Sequence, residues 1–452
     1  MRFNALLLIL LIFSSGCSLS NRLEYKEPLS GKVQDVLTMP QNATAYIDPE
    51  SKNRSLLATE KQIRLYLDFV NKHFAPWHRE EPEKDKSKIF WGLEAFKDKK
   101  LYGENKLPLS EDWLQKMKAM SNYEDFPLLS KRAVTTTTTS MRVFPTQKPV
   151  FYDFQQAGQG FPFDYMQNSL IPVGTPLYVC HISKNRKWVL AESRLTYGWI
   201  PVEDIAWCDQ QFCKEFETKS LGAVVKDELP IISAGQRFLS TGYIGTVLPF
   251  GGLLGQVLVP VRNARGKAEI NRVFMPEDEI RPMPMRLTSE NMAQIINAML
   301  DQKYGWGGMY ENRDCSAAIM DIFTPFGIWL PRNSSKQAQM GKTEDLSSLN
   351  TQEKQKLIAE QATPFRTLLY KPGHIMLYLG KNPNNNKQLA VFHNLWGLKT
   401  KTIYGEGRYI IGRAAITSLE VGKEVDHVQK SDLLLSKLNK LVNLNSIKIN
   451  AH

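Results

Sequence analysis

"YENRDCSAAIMDIF", Tyr310 to Phe323, sets a cysteine between an aspartate and a serine and then runs straight into an apolar helical pattern. A thiol at the start of a helix meets free backbone N–H groups, which favour its thiolate. Pro325 and Gly327 close the pattern in "CSAAIMDIFTPFG". A thiol that acts as a nucleophile also needs a base. His374 stands at the head of the apolar strand pattern "HIMLYLG", where an imidazole is held rigidly. The base needs an orienting group in turn, and His393 in "LAVFHNLWG" occupies the next strand, with Asn394 beside it as an alternative polar group. Cys315, helix, strand with His374, strand with His393 is the order of nucleophile, base and orienter.

Outward from this stretch, "TSENMAQIINAMLDQKYGWGG" predicts a preceding helix capped by Thr288 or Ser289, with Met292, Ile295, Ile296 and Leu300 on its apolar spacing. "RTLLY" and "RYIIGRAAI" complete the strands, so 287–415 reads as one unit of helices followed by strands. Before it, short alternating segments such as "TPLYVCHIS", "KWVLAES" and "GWIPVEDIAW" predict a small β-barrel over 127–210. A second set, including "GYIGTVLPF" and "GQVLVPV", predicts another over 211–286. Trp188, Trp199 and Trp207 are expected in barrel cores, and His181 is expected to be structural. Residues 17–126 are polar and helical in pattern. One helix carries Ile63, Leu65, Leu67, Phe69 and Val70 and ends at Pro76; another has Ser110 as its N-cap. Residues 416–452 form a charged tail in which "SDLLLSKLNKLVNL" suits an amphipathic helix on the protein or a membrane surface.

A chain of 452 residues exceeds what one core serves, which agrees with several domains. Its net charge of +11 is dispersed and no nucleic-acid-binding signature occurs, so an anionic wall polymer or membrane is the expected partner rather than nucleic acid. "MRFNALLLILLIFSSGC" has a basic start and an apolar run too short to span a bilayer, as in a signal peptide covering 1–16. Small residues before Cys17 resemble a bacterial lipobox, with Ser14 where that motif prefers leucine. The resemblance makes Cys17 the lipidated first residue of a lipoprotein. "SLSN" after it, without an aspartate, favours the outer membrane. An oxidising envelope permits a disulfide among Cys180, Cys208 and Cys213, either Cys208 with Cys213 or Cys180 with Cys208. Zinc on "CDQQFC" lacks a second pair of ligands, so neither a metal nor another cofactor is expected.

Four ordered motifs then carry a resemblance to the NlpC/P60 cysteine peptidases of bacterial cell walls. "YGWGG" (Tyr304–Gly308) is similar to Tyr-x-Trp-Gly-Gly. "DCSA" is similar to Asp-Cys-Ser-Gly, with Ala317 in the glycine's place. "LPRNSSKQ" resembles Leu-Pro-Arg-x-Ser-x-x-Gln, and "GHIMLYLG" resembles the strand of the catalytic histidine. "ATPFRTLLYKPG" stands where many members have Pro-Gly-Asp-Leu. The units before the peptidase resemble the tandem bacterial SH3 domains and helical cap of a lipoprotein-type subgroup. This implies an α+β fold: a helical cap, two SH3-like barrels and a papain-like peptidase.

The resemblance implies hydrolysis of peptidoglycan stem peptides at the γ-D-glutamyl–diamino acid bond. Cys315 is then the nucleophile, His374 the base, His393 the orienter, and Tyr304 with the Cys315 N–H the oxyanion donors. Arg332 suits the free α-carboxylate of D-Glu, Ser316 and Ser334 add hydrogen bonds, and Asp314 suits a substrate ammonium. In relatives of this arrangement the first barrel reads a free N-terminal L-Ala, for which Asp164 and Tyr197 are the candidates. A monomer is expected. The rival readings are a wall-binding adaptor on a peptidase scaffold and an acyltransferase on the same fold.

Overall fold

The computed structural model describes residues 33–447 except 157, 254 and 404. Cys17 and the expected signal peptide therefore lie outside the described residues. The cap is built on α1 (Thr59–Phe74), whose buried face is Gln62, Leu65, Tyr66, Phe69, Val70, His73 and Phe74. Ile63 and Leu67, expected on that face, point outward, because the buried stripe follows the i, i+3, i+4 rows through Leu65 and Phe69. Pro76 follows the helix, and the Trp77 indole N–H donates to Ala133 O at 2.7 Å, tying the cap to the first barrel. In α2 (Trp113–Met120), Asp112 rather than Ser110 is the N-cap; Ser110 Oγ donates to the Asp112 carboxylate at 2.6 Å from two residues earlier.

The first barrel has seven strands: β1 (Lys131–Thr135), β2 (Thr139–Arg142), β3 (Gln167–Ile171), β4 (Pro176–Ile182), β5 (Trp188–Glu192), β6 (Tyr197–Pro201) and β7 (Ile205–Trp207). They pair in the order β3-β2-β6-β5-β4-β1-β7. Trp188 and Trp199 are buried, whereas Trp207 is half-buried. His181 Nε2 lies 3.1 Å and 3.0 Å from the carbonyls of Ser121 and Asn122. The short helix α3 (Gln210–Phe216), capped by Asp209, leads into the second barrel. Cys180, Cys208, Cys213 and Cys315 are all free thiols, so no disulfide joins the described cysteines.

The second barrel is made of three small sheets: β8 (Leu221–Val224), β9 (Leu229–Ile232), β10 (Phe238–Gly242), β11 (Val247–Pro249), β12 (Gln256–Arg262), β13 (Ala268–Phe274) and β14 (Ile280–Pro282), paired as β11-β8-β14, β10-β9 and β12-β13. Next comes α4 (Ser289–Met299), where Thr288 is the cap, its Oγ1 accepting the Asn291 N–H at 3.1 Å.

The last unit comprises α5 (Cys315–Phe323), α6 (Ser334–Gln337), β15 (Lys342–Asp345), α7 (Thr351–Gln361), β16 (Thr367–Lys371), β17 (His374–Asn382), β18 (Asn385–Thr402), β19 (Gly405–Ser418) and β20 (Lys440–Asn443). Its sheet is antiparallel throughout, in the order β15-β20-β16-β17-β18-β19. The expected surface helix of the tail is corrected here. "LNKLVNL" supplies β20, an inner strand between β15 and β16, because Leu441 and Val442 gain more by burial against the sheet than four residues of helix at Leu434–Lys437 can offer. No described helix is long and apolar enough to cross a membrane.

One apolar core runs from Met141, Ile171 and Val179 of the first barrel through Ala318, Ile319 and Ile322 of α5 to Ile375, Leu377 and Phe392 of the sheet. Fully burying an Ile or Phe side chain contributes about 1.5–3 kcal/mol. The helix that opens with Cys315 is thus clamped on both sides, and its first residue has little freedom to move.

Candidate active site

Asp314 is the N-cap of α5. Its Oδ1 accepts the Ala317 N–H at 2.8 Å and the Ser316 hydroxyl at 3.0 Å, and its Oδ2 accepts the Gly307 N–H at 3.1 Å. This fixes the first turn and points Cys315, buried, toward the head of β17, where its sulfur accepts from the Ile375 N–H. Burial and the neighbouring Asp314 carboxylate push the thiol up to about 12, against the pull of the Ile375 N–H, Arg332 and the Ser316 N–H. The helix start therefore does not make a resting thiolate, as the sequence suggested; desolvation and the adjacent carboxylate outweigh it.

His374 Nε2 lies 2.8 Å from His393 Nδ1, and His393 Nε2 lies 3.0 Å from Thr417 Oγ1. The Thr417 hydroxyl spends its one proton on Ser418 O at 2.9 Å. It must then accept from His393 Nε2–H, which leaves His393 Nδ1 to accept from His374 Nε2–H. The tautomer chain ends with the lone pair of His374 on Nδ1. Burial, then the charges around it, holds His374 well below the ordinary histidine value, and burial with Lys371 pushes His393 down to about 3. At neutral pH the group is a thiol beside neutral imidazoles, competent for proton transfer at the moment of attack.

Arg332 is held by a built network. Nη2 and Nη1 contact the two oxygens of Asp314 at 2.6 and 3.1 Å, Nη1 also donates to Ser316 Oγ at 2.9 Å, and Nε donates to Ser169 Oγ of the first barrel at 3.0 Å. Burial pushes the Asp314 carboxyl up, but Arg332 outweighs it and the group sits below the usual carboxylate range. Gln337 fixes the segment that carries Arg332, its Nε2 donating to Ser316 O at 2.8 Å and Pro331 O at 2.9 Å. Burial and the charges of Cys315 and Asp314 raise the Tyr304 phenol well above its ordinary value, so it remains a donor beside the thiol. Ser334 opens α6, half-buried, one residue past Asn333, the cap of that helix.

Comparison with known proteins decides what this arrangement belongs to. Residues 301–396 match the NlpC/P60 family, 149–201 an SH3 domain of SH3b1 type, 209–253 an SH3 domain of SH3b2 type, and 5–126 the N-terminal stabilising domain of NlpC/P60 proteins. An NlpC/P60 endopeptidase from Photobacterium damselae subsp. piscicida superposes with a TM-score of 0.81 at 25% identity, over 90% of this chain and 97% of that one. The chain belongs to the NlpC/P60 family. An NlpC/P60 family protein from Bacillus cereus ATCC 10987 has a TM-score of 0.44 at 14% identity, over 69% of this chain and 99% of that one. No curated protein matches. A cysteine peptidase of this family with two SH3b domains is a cell-wall hydrolase, with peptidoglycan as its binding partner or substrate, and its domains point to a place outside the cytoplasm.

The first SH3b barrel does reach the NlpC/P60 cleft, but not through the two residues expected. Asp164 is buried and engaged: its carboxylate takes Arg142 Nη1 at 2.7 Å and the N–H groups of Val150 and Met166 at 3.0 and 2.9 Å. Tyr197 packs with the cap-facing cluster around Phe90 and Trp199, and its hydroxyl donates to Lys88 O at 3.0 Å. Phe163, Tyr165, Gln167 and Ser169 make the approach instead. The Phe163 ring lies 5.1 Å from Trp306 and 6.4 Å from Trp396, and Tyr165 lies 6.2 Å from Trp306. Gly307 and Gly308 have left-handed φ of 62° and 89°, and a Cβ on Gly308 would stand 2.4 Å from Leu170 Cβ. The glycine pair of "YGWGG" is thus where β3 docks.

Cys315, His374, His393, Tyr304, Asp314, Ser316 and Arg332 converge on one place. Asn394 does not share it; its side chain donates to Arg313 O at 2.9 Å. Thr417 and Ser169 were not singled out from the sequence, and Gln337 entered only as the closing residue of "LPRNSSKQ". Only strand register could have found Thr417, since β18 pairs His393 with Ala415, two residues before it.

Proposed function

We propose that the protein is a cysteine endopeptidase that hydrolyses the γ-D-glutamyl–diamino acid bond of peptidoglycan stem peptides. The observation that carries the reading is the directed chain Thr417–His393–His374 ending on the strand whose next amide meets the Cys315 sulfur. In the first step Cys315 Sγ bonds the γ-carbonyl carbon while its proton moves to His374 Nδ1. The Cys315 N–H and the Tyr304 hydroxyl receive the oxyanion. The C–N bond then breaks as His374 returns that proton to the leaving amine. Water attacks the thioester with His374 as base, releasing the γ-carboxylate and restoring the thiol. His393 and Thr417 keep the imidazole in the required tautomer.

On this reading Arg332 and Ser316 present a neutralised but hydrogen-bonding floor to the D-Glu α-carboxylate. Arg332 keeps one Nη2–H beyond those spent on its partners, and Ser334 lies at the rim. Asp314 serves Arg332 and the helix cap rather than a substrate ammonium. Free L-Ala-γ-D-Glu peptides are the preferred substrates, because Phe163, Tyr165 and Trp306 wall one end of the cleft against a glycan. This preference rests on the wall and not on Asp164. Delivery to the outer membrane through a lipidated Cys17 is the matching location, supported by the sequence alone. The test is digestion of intact sacculi, free stem peptides and N-acetylated stem peptides, with the cut bond located by mass spectrometry. The reading expects cleavage after γ-D-Glu and fastest turnover of the free peptide; a different bond, or sacculi cut as fast, would reject it.

A further inference from the structure

On the nucleophile side of the site, charge is already balanced, Arg332 against Asp314. The opposite side is different. Lys371 and His374 flank the two-residue turn Pro372–Gly373, with Gly373 at φ 79°, and face each other in the β16–β17 register. Directly opposed residues of an antiparallel pair project from the same face, with Cβ atoms about 4.5–5.5 Å apart. The Lys371 stem therefore rises beside the His374 imidazole on the face that carries the chemistry. Its ammonium is half-buried and feels Cys315, Arg408, Lys437 and Asp432. Of these, Asp432 is paired with Lys437 at 3.4 Å. Among the described residues, Lys371 Nζ makes one hydrogen bond, to Pro372 O at 3.5 Å, and no carboxylate lies within ion-pair distance. Burial, opposed by Cys315 and reinforced by Arg408 and Lys437, holds the amine below the usual lysine range, as befits a cation short of counter-charge.

The side matters. His374 must stand by the leaving nitrogen to protonate it, so groups beside His374 face the leaving half of the substrate. We propose that Lys371 Nζ receives a carboxylate of the leaving diamino acid and so acts as a specificity residue for that half of the peptide. The inference rests on the proposed function and adds the recognition of the leaving group. That carboxylate has two sources, the main-chain carboxylate or the second carboxylate of a diaminopimelate side chain.

Three peptides separate them: L-Ala-γ-D-Glu-diaminopimelate, L-Ala-γ-D-Glu-L-Lys, and the C-terminal amide of the latter. Steady-state kcat/KM is measured for wild type, Lys371→Gln and Lys371→Arg, each with its melting temperature. Loss of a charge-assisted contact lowers kcat/KM by about tenfold or more. If the main-chain carboxylate is read, wild type shows that gap between the L-Lys acid and its amide. If the side-chain carboxylate is read, the gap lies between diaminopimelate and L-Lys. In either case Lys371→Gln closes the gap and Lys371→Arg restores part of it. Gaps that are the same in wild type and Lys371→Gln, or no gap in wild type, would overturn the inference while leaving the proposed function in place. Failure of wild type to cut any of the three would overturn both.

Discussion

The two SH3b barrels hold the segment around Cys315, Gly305 to Arg332, by opposite means. The first reaches its front with neutral side chains: Ser169 accepting from Arg332, Gln167 Nε2 on Gly307 O at 3.2 Å, and aromatic rings along the cleft. The second holds its back with buried charge. Arg313 sits two residues before Cys315, and its guanidinium donates to both oxygens of Asp227 at 2.6 and 2.8 Å, to Ile244 O at 2.7 Å and to Asp321 at 2.6 Å. The Tyr243 hydroxyl is bonded to the carboxylate of Glu311, which has a left-handed φ of 62°. The difference separates two tasks. Contacts made by neutral side chains can shape a cleft that substrate must enter. A multiply bonded buried ion pair can hold a strained loop in place, because breaking either partner leaves the other charge uncompensated.

The contrast can be broken at the back first. Asp227→Ala leaves Arg313 with Asp321 as its only carboxylate, and should cost about 3–5 kcal/mol of stability together with most of the turnover; chemical denaturation and peptide hydrolysis measure both. A smaller loss confined to KM would place the second barrel in substrate binding instead. The imidazoles of the C-terminal sheet supply the next effect. Both have folded pKa values below the unfolded one, so the unfolded chain binds the extra protons, and stability falls as pH drops below about 6.5. His393, down to about 3 when folded, keeps contributing to this loss until that pH. His393→Gln should make the decline between pH 6 and pH 4 shallower by about one proton, or about 1.4 kcal/mol per pH unit. An unchanged slope would mean that His393 is not buried neutral.

At the front, Gly308→Ala must push Leu170 away and adopt an unfavourable φ, at about 1–3 kcal/mol. It should lower kcat/KM for free peptides while improving access of longer ones. The smallest effect belongs to Ser169→Ala, which removes one hydroxyl acceptor from the Arg332 guanidinium while its bonds to Asp314 and Ser316 remain, about 1 kcal/mol. Turnover assays and thermal melts should show a few-fold rise in KM and almost no change in melting temperature.

What could be read from the sequence follows the range of the interactions. The nucleophile helix, the helix start at Thr288 or Ser289 and the two histidine strands are local patterns; each forms where its spacing put it, with Thr288 as the cap. The partners of Arg332 and Arg313 lie up to 163 and 86 residues away. Residue type alone made Arg332 a carboxylate reader; only the fold sets Asp314 against it. Asp164 was chosen for its charge, but the neighbours that consume it, Arg142 of β2 and two backbone amides, are brought to it only by the folded barrel. The tail failed for a related reason: a short apolar run fits helix and strand alike, and the open position between β15 and β16 decides between them.

The account's central claim is that the Cys315 sulfur, held at the start of α5 and served by His374, makes the bond to the substrate. Hydrolysis of L-Ala-γ-D-Glu-diaminopimelate by Cys315→Ala tests it most directly, with the circular dichroism spectrum and melting temperature recorded on the same preparation. The account predicts a folded protein with wild-type spectrum and no detectable cleavage. A folded Cys315→Ala protein that still cleaves the peptide at the wild-type rate would contradict it.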